Sequence, residues 1–150
     1  MKIVVAADHR GFDKKQWLVP LVREWGHAVT DLGCGSAAAC DYPDFAFPAA
    51  QSVAAGQADI GLLLDHSGIG MCIVANKVVG VRAALVLDEV SAKLAREANH
   101  ANVLCLATEL LSDAMMVKIV KTFLNTQPAG GRHVRRVSKL SAIEEQTMKR

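Results

Sequence analysis

A chain of 150 residues, 51% hydrophobic and 21% charged, is long enough to bury one sizeable core and too apolar for disorder. A formal net charge of +2 gives no argument for nucleic acid, no apolar run approaches a membrane span, and the amino terminus reads as a strand rather than a signal peptide. Cys34, Cys40, Cys72 and Cys105 lack CxxC spacing, so reduced thiols in a cytoplasmic protein are expected, without metal bound to them.

Lys2 to Ala7 is a β-rich run closed by Asp8-His-Arg-Gly11. Phe12 to Trp25 carries Trp17, Leu18, Leu21, Val22 and Trp25 at helical spacing, with Gly26 as the stop. Pro20 falls inside that pattern and should kink the helix or mark its true start. His27 to Leu32 predicts a second strand, Gly33 to Pro43 a loop of small residues, and Phe45 to Ala55 a helix.

Ala58 to Leu64 predicts a third strand, its apolar run Ile60 to Leu64 bounded by Asp59 and Asp65, as for a strand buried on both faces. Ser67-Gly-Ile-Gly70 then turns into Met71 to Asn76, which can run as a helix. Gly80 to Leu87 predicts a fourth strand, and Asp88 caps a helix through Glu97 with Val90, Leu94 and Ala98 inward. Asn102 to Ala107 is a fifth strand. Ser112 caps the helix Asp113 to Asn125, whose Met116, Ile119, Val120, Phe123 and Leu124 form one stripe. Gln127 to Arg132 is a turn, and Ser138 to Lys149 a last helix, polar on most faces.

Alternating strands and helices predict a single α/β domain over residues 1–150, a three-layer Rossmann-like unit with a five-stranded parallel sheet. The expected strand order is 2-1-3-4-5, which puts a ligand crevice between the carboxyl ends of strands one and three. Polar residues end those two strands: Asp8 and His9 on one, Asp65, His66 and Ser67 on the other. The last helix has no strand partner and is expected to lie on a second subunit.

Asp65 is either a helix-capping carboxylate or a general base that removes a proton beside a carbonyl. Ser67 is either an N-cap or a hydroxyl donor to the oxyanion, with the amides of Gly68 and Gly70 beside it. Asp8 and His9 form a turn, a metal pair or a substrate clamp, and no HExxH-like spacing supports the metal. Arg132, Arg135, Arg136 and Lys139 gather late and suit a phosphate group.

These residues, with Asp41-Tyr-Pro-Asp44, Ala75-Asn-Lys77, Gly80-Val-Arg-Ala-Ala84, Ala95-Arg-Glu97 with Asn99, Ala101-Asn-Val103 and Gly130-Gly-Arg-His133, give the chain its resemblance. Nearly throughout, it resembles the ribose-5-phosphate isomerase B and galactose-6-phosphate isomerase family. The resemblance implies a metal-free, cofactor-free aldose–ketose isomerase working through a cis-enediolate. It also implies a homodimer or homotetramer with shared active sites, acting on a small-molecule sugar phosphate, with neither nucleic acid nor membrane as partner. Carried over, it makes His9, Arg132 and Arg136 phosphate-binding, Ser67, Gly68 and Gly70 enediolate-binding, and Asp8, Tyr42 and Asn99 sugar-binding. Asp65 and Ser67 are then the catalytic pair.

Three departures accompany the likeness. The family's catalytic cysteine and following glycine are Asp65 and His66, its ring-opening histidine is Ala98, and one phosphate-binding arginine is Glu109. One branch of the family uses a glutamate base from the position of Met71, so a carboxylate base is not foreign to this chemistry. Glu109 is expected to pair with a cation such as Arg132 or Arg135, or else to accept hydrogen bonds from sugar hydroxyls. The alternative to an isomerase is a sugar-phosphate-binding or regulatory subunit without turnover. A metal-dependent enzyme using Asp8, His9, Asp65 and His66 is a third reading.

Overall fold

The computed structural model describes residues 1–148, so the expected end of the last helix at Lys149 lies outside the described residues. In chain order the elements are β1 (Lys2–Ala7), α1 (Phe12–Glu24), β2 (Ala28–Asp31), α2 (Pro43–Ala54), β3 (Ile60–Asp65) and α3 (Ile69–Ala75). They continue with β4 (Ala83–Leu85), α4 (Glu89–Asn99), β5 (Val103–Ala107), α5 (Asp113–Asn125) and α6 (Arg132–Thr147). The five strands make one parallel sheet.

Alternation along the strands builds a core on each face. Ile3, Val5, Leu62, Leu64, Leu104 and Leu106 pack with α1, α4 and α5. Val4, Ala6, Leu63, Val103 and Cys105 pack on the other side with α2 and α3. The second layer is rich in alanine (Ala46, Ala49, Ala50 and Ala75), which lets those helices lie close to the sheet. Among the described residues no helix is long and apolar enough to cross a membrane.

Strand order departs from the expected 2-1-3-4-5. It is β2-β1-β3-β5-β4, so β5 pairs with β3 and β4 takes the edge. All five residues of β5 are buried, whereas those of β4 are half-buried. β4 also shrinks from the expected Gly80 to Leu87 to three residues, because side chains take over its flanking amides. Arg82 N–H donates to Asn102 Oδ1 at 2.8 Å and Ala83 N–H to Asn76 Oδ1 at 2.9 Å. Such capped amides suit an edge strand.

Other boundaries shift for local reasons. Pro20 neither starts nor ends α1; it lies on the exposed side, four residues after exposed Gln16, whose carbonyl can turn to water. Proline also opens α2, which begins at Pro43, where a missing N–H is tolerated. On α4 the expected inward residues Val90 and Leu94 are 69% and 52% exposed, and it is Ala92 that is buried. Asp88 and Ser112 cap α4 and α5 as expected, accepting from the amides of Ser91 and Met115. α6 starts at Arg132 instead of Ser138, so Arg132, Arg135 and Arg136 are helical, and none of its residues is buried.

Lys15 is a surprise: 1% exposed, its Nζ donates to Asp31 Oδ2 at 2.5 Å and to Gln16 Oε1 at 3.2 Å, tying α1 to β2. Gly11 sets the crevice. A Cβ there would lie 2.3 Å from the carbonyl oxygen of Leu64, so only glycine lets the turn after β1 rest on the end of β3. Gly11→Ala is therefore expected to lower unfolding free energy by about 1–3 kcal/mol through overpacking. Urea denaturation checks it, by a lower midpoint at unchanged slope.

Candidate active site

The carboxyl ends of β1 and β3 are neighbours, with Ala7 beside Leu64 in register. Asp8 is buried where β1 ends, and its Oδ1 accepts from the amides of Arg10 at 2.9 Å and Gly11 at 3.1 Å. His9 follows. Its Nδ1 lies 3.2 Å from the carbonyl oxygen and 3.3 Å from the amide nitrogen of Cys40, which fixes the ring against the loop after β2.

Asp65 closes β3 and is 5% exposed. Its Oδ1 accepts a short hydrogen bond from the Gly68 amide, the link that bends the chain from strand into α3. Burial pushes the Asp65 carboxyl above its ordinary value, and Asp8 pushes the same way. The amides of Gly68 and Met71 and the nearby His66 pull against that rise. Ser67 Oγ accepts from the Ile69 amide at 3.2 Å. Gly68 turns at φ +75°, and a Cβ on it would strike Leu85 Cδ1 at 2.4 Å. At Gly70 a Cβ would lie 2.8 Å from the Tyr42 ring, so that aromatic side chain rests on the first turn of α3.

Asp8, His9, Tyr42, Asp65, Ser67, Gly68 and Gly70 thus gather around the carboxyl ends of β1 and β3. Asn99, Arg132 and Arg136 do not join them. Asn99 ends α4, and with Ala98, His133 and Arg136 it lines a separate hollow of about 290 Å³. α6 leans on α4, beyond the β5 side of the sheet, whereas His9 sits by β1 and the loop after β2. A larger groove of about 550 Å³, lined by Leu94, Ala95, Leu140 and Ile143 among others, runs between α4 and α6, and Asn99 lines it too.

Glu109 corrects another expectation. Instead of reaching Arg132 or Arg135, its Oε2 lies 3.8 Å from His66 Nδ1. The β3–β5 pairing explains this, since Asp65 stands beside Ala107 in register. Thr108 then donates its amide (2.9 Å) and Oγ1 (3.0 Å) to the Asp65 carbonyl, and the Glu109 amide donates to that of His66 at 3.1 Å. Reading the residues in sequence order missed Thr108 and the His66–Glu109 pair, because both depend on which strand flanks β3.

Behind the crevice, Cys72 on α3 faces Cys105 on β5. A hydrogen bond from Cys105 draws the Cys72 thiol down to about 7, while that bond and burial drive Cys105 well up. Among the described residues no three His, Cys, Asp or Glu side chains come together as a metal-binding group. The donors nearest one another are already engaged: Asp8 and Asp65 with amides, and His9 Nδ1 with Cys40.

A family model described as Ribose/Galactose Isomerase matches residues 3–140. Ribose-5-phosphate isomerase B of Escherichia coli is 38% identical over 144 residues, covering 96% of this chain and 97% of its own. The solved structure of Clostridium thermocellum ribose-5-phosphate isomerase B superposes with a TM-score of 0.96 at 36% identity, over 97% of this chain and 99% of that one. The Mycoplasma genitalium ribose-5-phosphate isomerase B, solved with bound ribulose-5-phosphate, gives 0.92 at 42% identity, over 97% of each chain. Sheet, crevice and sequence agree: the chain belongs to the ribose/galactose isomerase family, and with it to the aldose–ketose isomerases.

Proposed function

We propose that the chain interconverts an aldose phosphate and its ketose, most simply ribose 5-phosphate and ribulose 5-phosphate, by proton transfer through a cis-enediolate. The observation that carries this reading is Asp65, a buried carboxylate of raised pKa at the end of β3, flanked by Ser67 and the amides of the following turn. A base works best when its pKa lies near the working pH, and burial moves Asp65 in that direction. Asp65 takes the proton from C2 of the open-chain aldose and returns it to C1. Ser67, Gly68 and Gly70 meet the developing oxyanion, and Asp8 and Tyr42 contact the sugar. No metal enters this scheme.

The phosphate is assigned to His9, Arg132 and Arg136, and the arginines come from a second copy of the chain. That division is supported by the separation of α6 from His9 within one chain. It is also supported by exposed apolar side chains on α4 and α6, Val90, Leu94, Leu140 and Ile143, suited to burial between subunits. Asn99, at the end of α4, reaches the sugar by the same route. Four free cysteines accord with a cytoplasmic location.

Four outcomes test the scheme. Asp65→Asn is expected to cut turnover by about 10²–10⁴-fold with KM little changed. A raised carboxyl pKa means that ionising Asp65 opposes folding: stability is undiminished below the ordinary value of 3.8 and declines as pH rises through the raised one. The same variant should therefore have a higher urea midpoint than the parent at neutral pH, and that gain should vanish below 3.8. Equal midpoints at neutral pH would remove the strained carboxylate from the scheme.

Inactive Asp65→Asn and Arg136→Ala chains, unfolded together and refolded, should recover about a quarter of parental activity if subunits mix freely. Half the dimers are then hybrids with one intact site of two. No recovery would place base and arginine on the same chain. Prolonged chelation should leave turnover unchanged, and a loss restored by a divalent ion would bring a metal into the site.

A further inference from the structure

Isomerisation needs more than one proton-carrying group. An aldopentose 5-phosphate rests mainly as a five-membered ring, and its C2 proton becomes acidic only once C1 is a free carbonyl. Asp65 is committed to the carbon-bound proton, and Ser67 Oγ already accepts from the Ile69 amide. The five histidines narrow the choice of a second group. His27 lies 3.3 Å from the terminal amino group of Met1, at the opposite end of the sheet. His100 is tied through Nε2 to the Ala129 carbonyl at 2.8 Å, and His133 belongs to α6. His9 has its Nδ1 against Cys40 and is assigned to the phosphate.

His66 remains. It directly follows Asp65, and its side chain is 55% exposed. The Glu109 carboxylate lies 3.8 Å from Nδ1, while among the described residues Nε2 has no hydrogen-bond partner. The segment after β5 holds this arrangement in place, since Thr108 and Glu109 cap the carbonyls of Asp65 and His66 in succession. A carboxylate facing Nδ1 favours the tautomer protonated there, which leaves the Nε2 lone pair free to take a proton.

We propose that His66, oriented by Glu109, opens and closes the sugar ring before and after enolisation; the proposal rests on the isomerase reading above. The anomeric O1–H proton passes to Nε2, C1=O1 forms as the bond from C1 to the ring oxygen breaks, and the same proton is handed to that oxygen. The ring oxygen becomes the C4 hydroxyl. No electron, net proton or co-reactant is needed. His66 is then a catalytic residue and Glu109 a positioning one.

A ketopentose 5-phosphate separates the steps, because its C5 oxygen is esterified and it cannot close a furanose ring. His66→Asn is expected to slow conversion of ribose 5-phosphate by about 10²-fold or more, the worth of a positioned acid–base group. In deuterium oxide, proton NMR should still show solvent deuterium entering C1 of ribulose 5-phosphate within about threefold of the parental rate. That exchange also reports that the variant is folded. Glu109→Gln should slow ribose 5-phosphate by about tenfold with exchange kept, whereas Asp65→Asn should abolish exchange. The proposal is overturned if His66→Asn slows both reactions together, or if it leaves ribose 5-phosphate turnover unchanged. Absence of exchange in the parental protein would overturn the enolisation scheme, and the ring-opening step with it.

Discussion

Everything polar in the crevice depends on one strand being closed off from water along its length. β3 is flanked by β1 and β5 and covered on both faces, so all six of its residues are buried. A strand so enclosed can present side chains to a ligand only where it ends, and Asp65 is the residue that ends it. The Gly68 amide makes a buried carboxylate tolerable there, and Gly11 lets the neighbouring turn close over the same place. The carboxylate proposed as the base is therefore built into the core, and its raised pKa reflects that position.

Much of this was legible in the residues. The bounded apolar run Ile60 to Leu64 marked the central strand, and Asp8, His9, Asp65 and Ser67 marked the ends of β1 and β3. Strand order was not legible. β4 and β5 are both short apolar runs, and what distinguishes them is burial, complete along β5 and partial along β4, where Asn76 and Asn102 accept from the amides of Ala83 and Arg82. That single exchange of neighbours hid Thr108 and the partner of Glu109 from the reading of the site, since the two residues reach Asp65 and His66 only once β5 lies beside β3. Val90 and Leu94 misled for a different reason. Apolar spacing on a helix identifies a face to be covered, and says nothing of whether the same core covers it.

The candidate groups are also divided in space. Asp8, Asp65 and Ser67 stand at the ends of β1 and β3, while the guanidinium groups of Arg132 and Arg136 stand on a helix with no buried residue of its own. Lys15 is the opposite case, a cation spent entirely inside the protein to tie α1 to β2 through Asp31. Burial of the ammonium makes the pair structural, because removing Asp31 would strand a charge inside the protein.

The His66–Glu109 contact has a bearing on how such a site can change over generations. Both side chains are more than half exposed, so the contact adds little to folding, and either could be replaced without unfolding the protein. In the ring-opening role proposed above the two are not independent. Glu109 alone would set a bare anion near the ligand, and an arginine there beside His66 would take away the carboxylate that orients the ring.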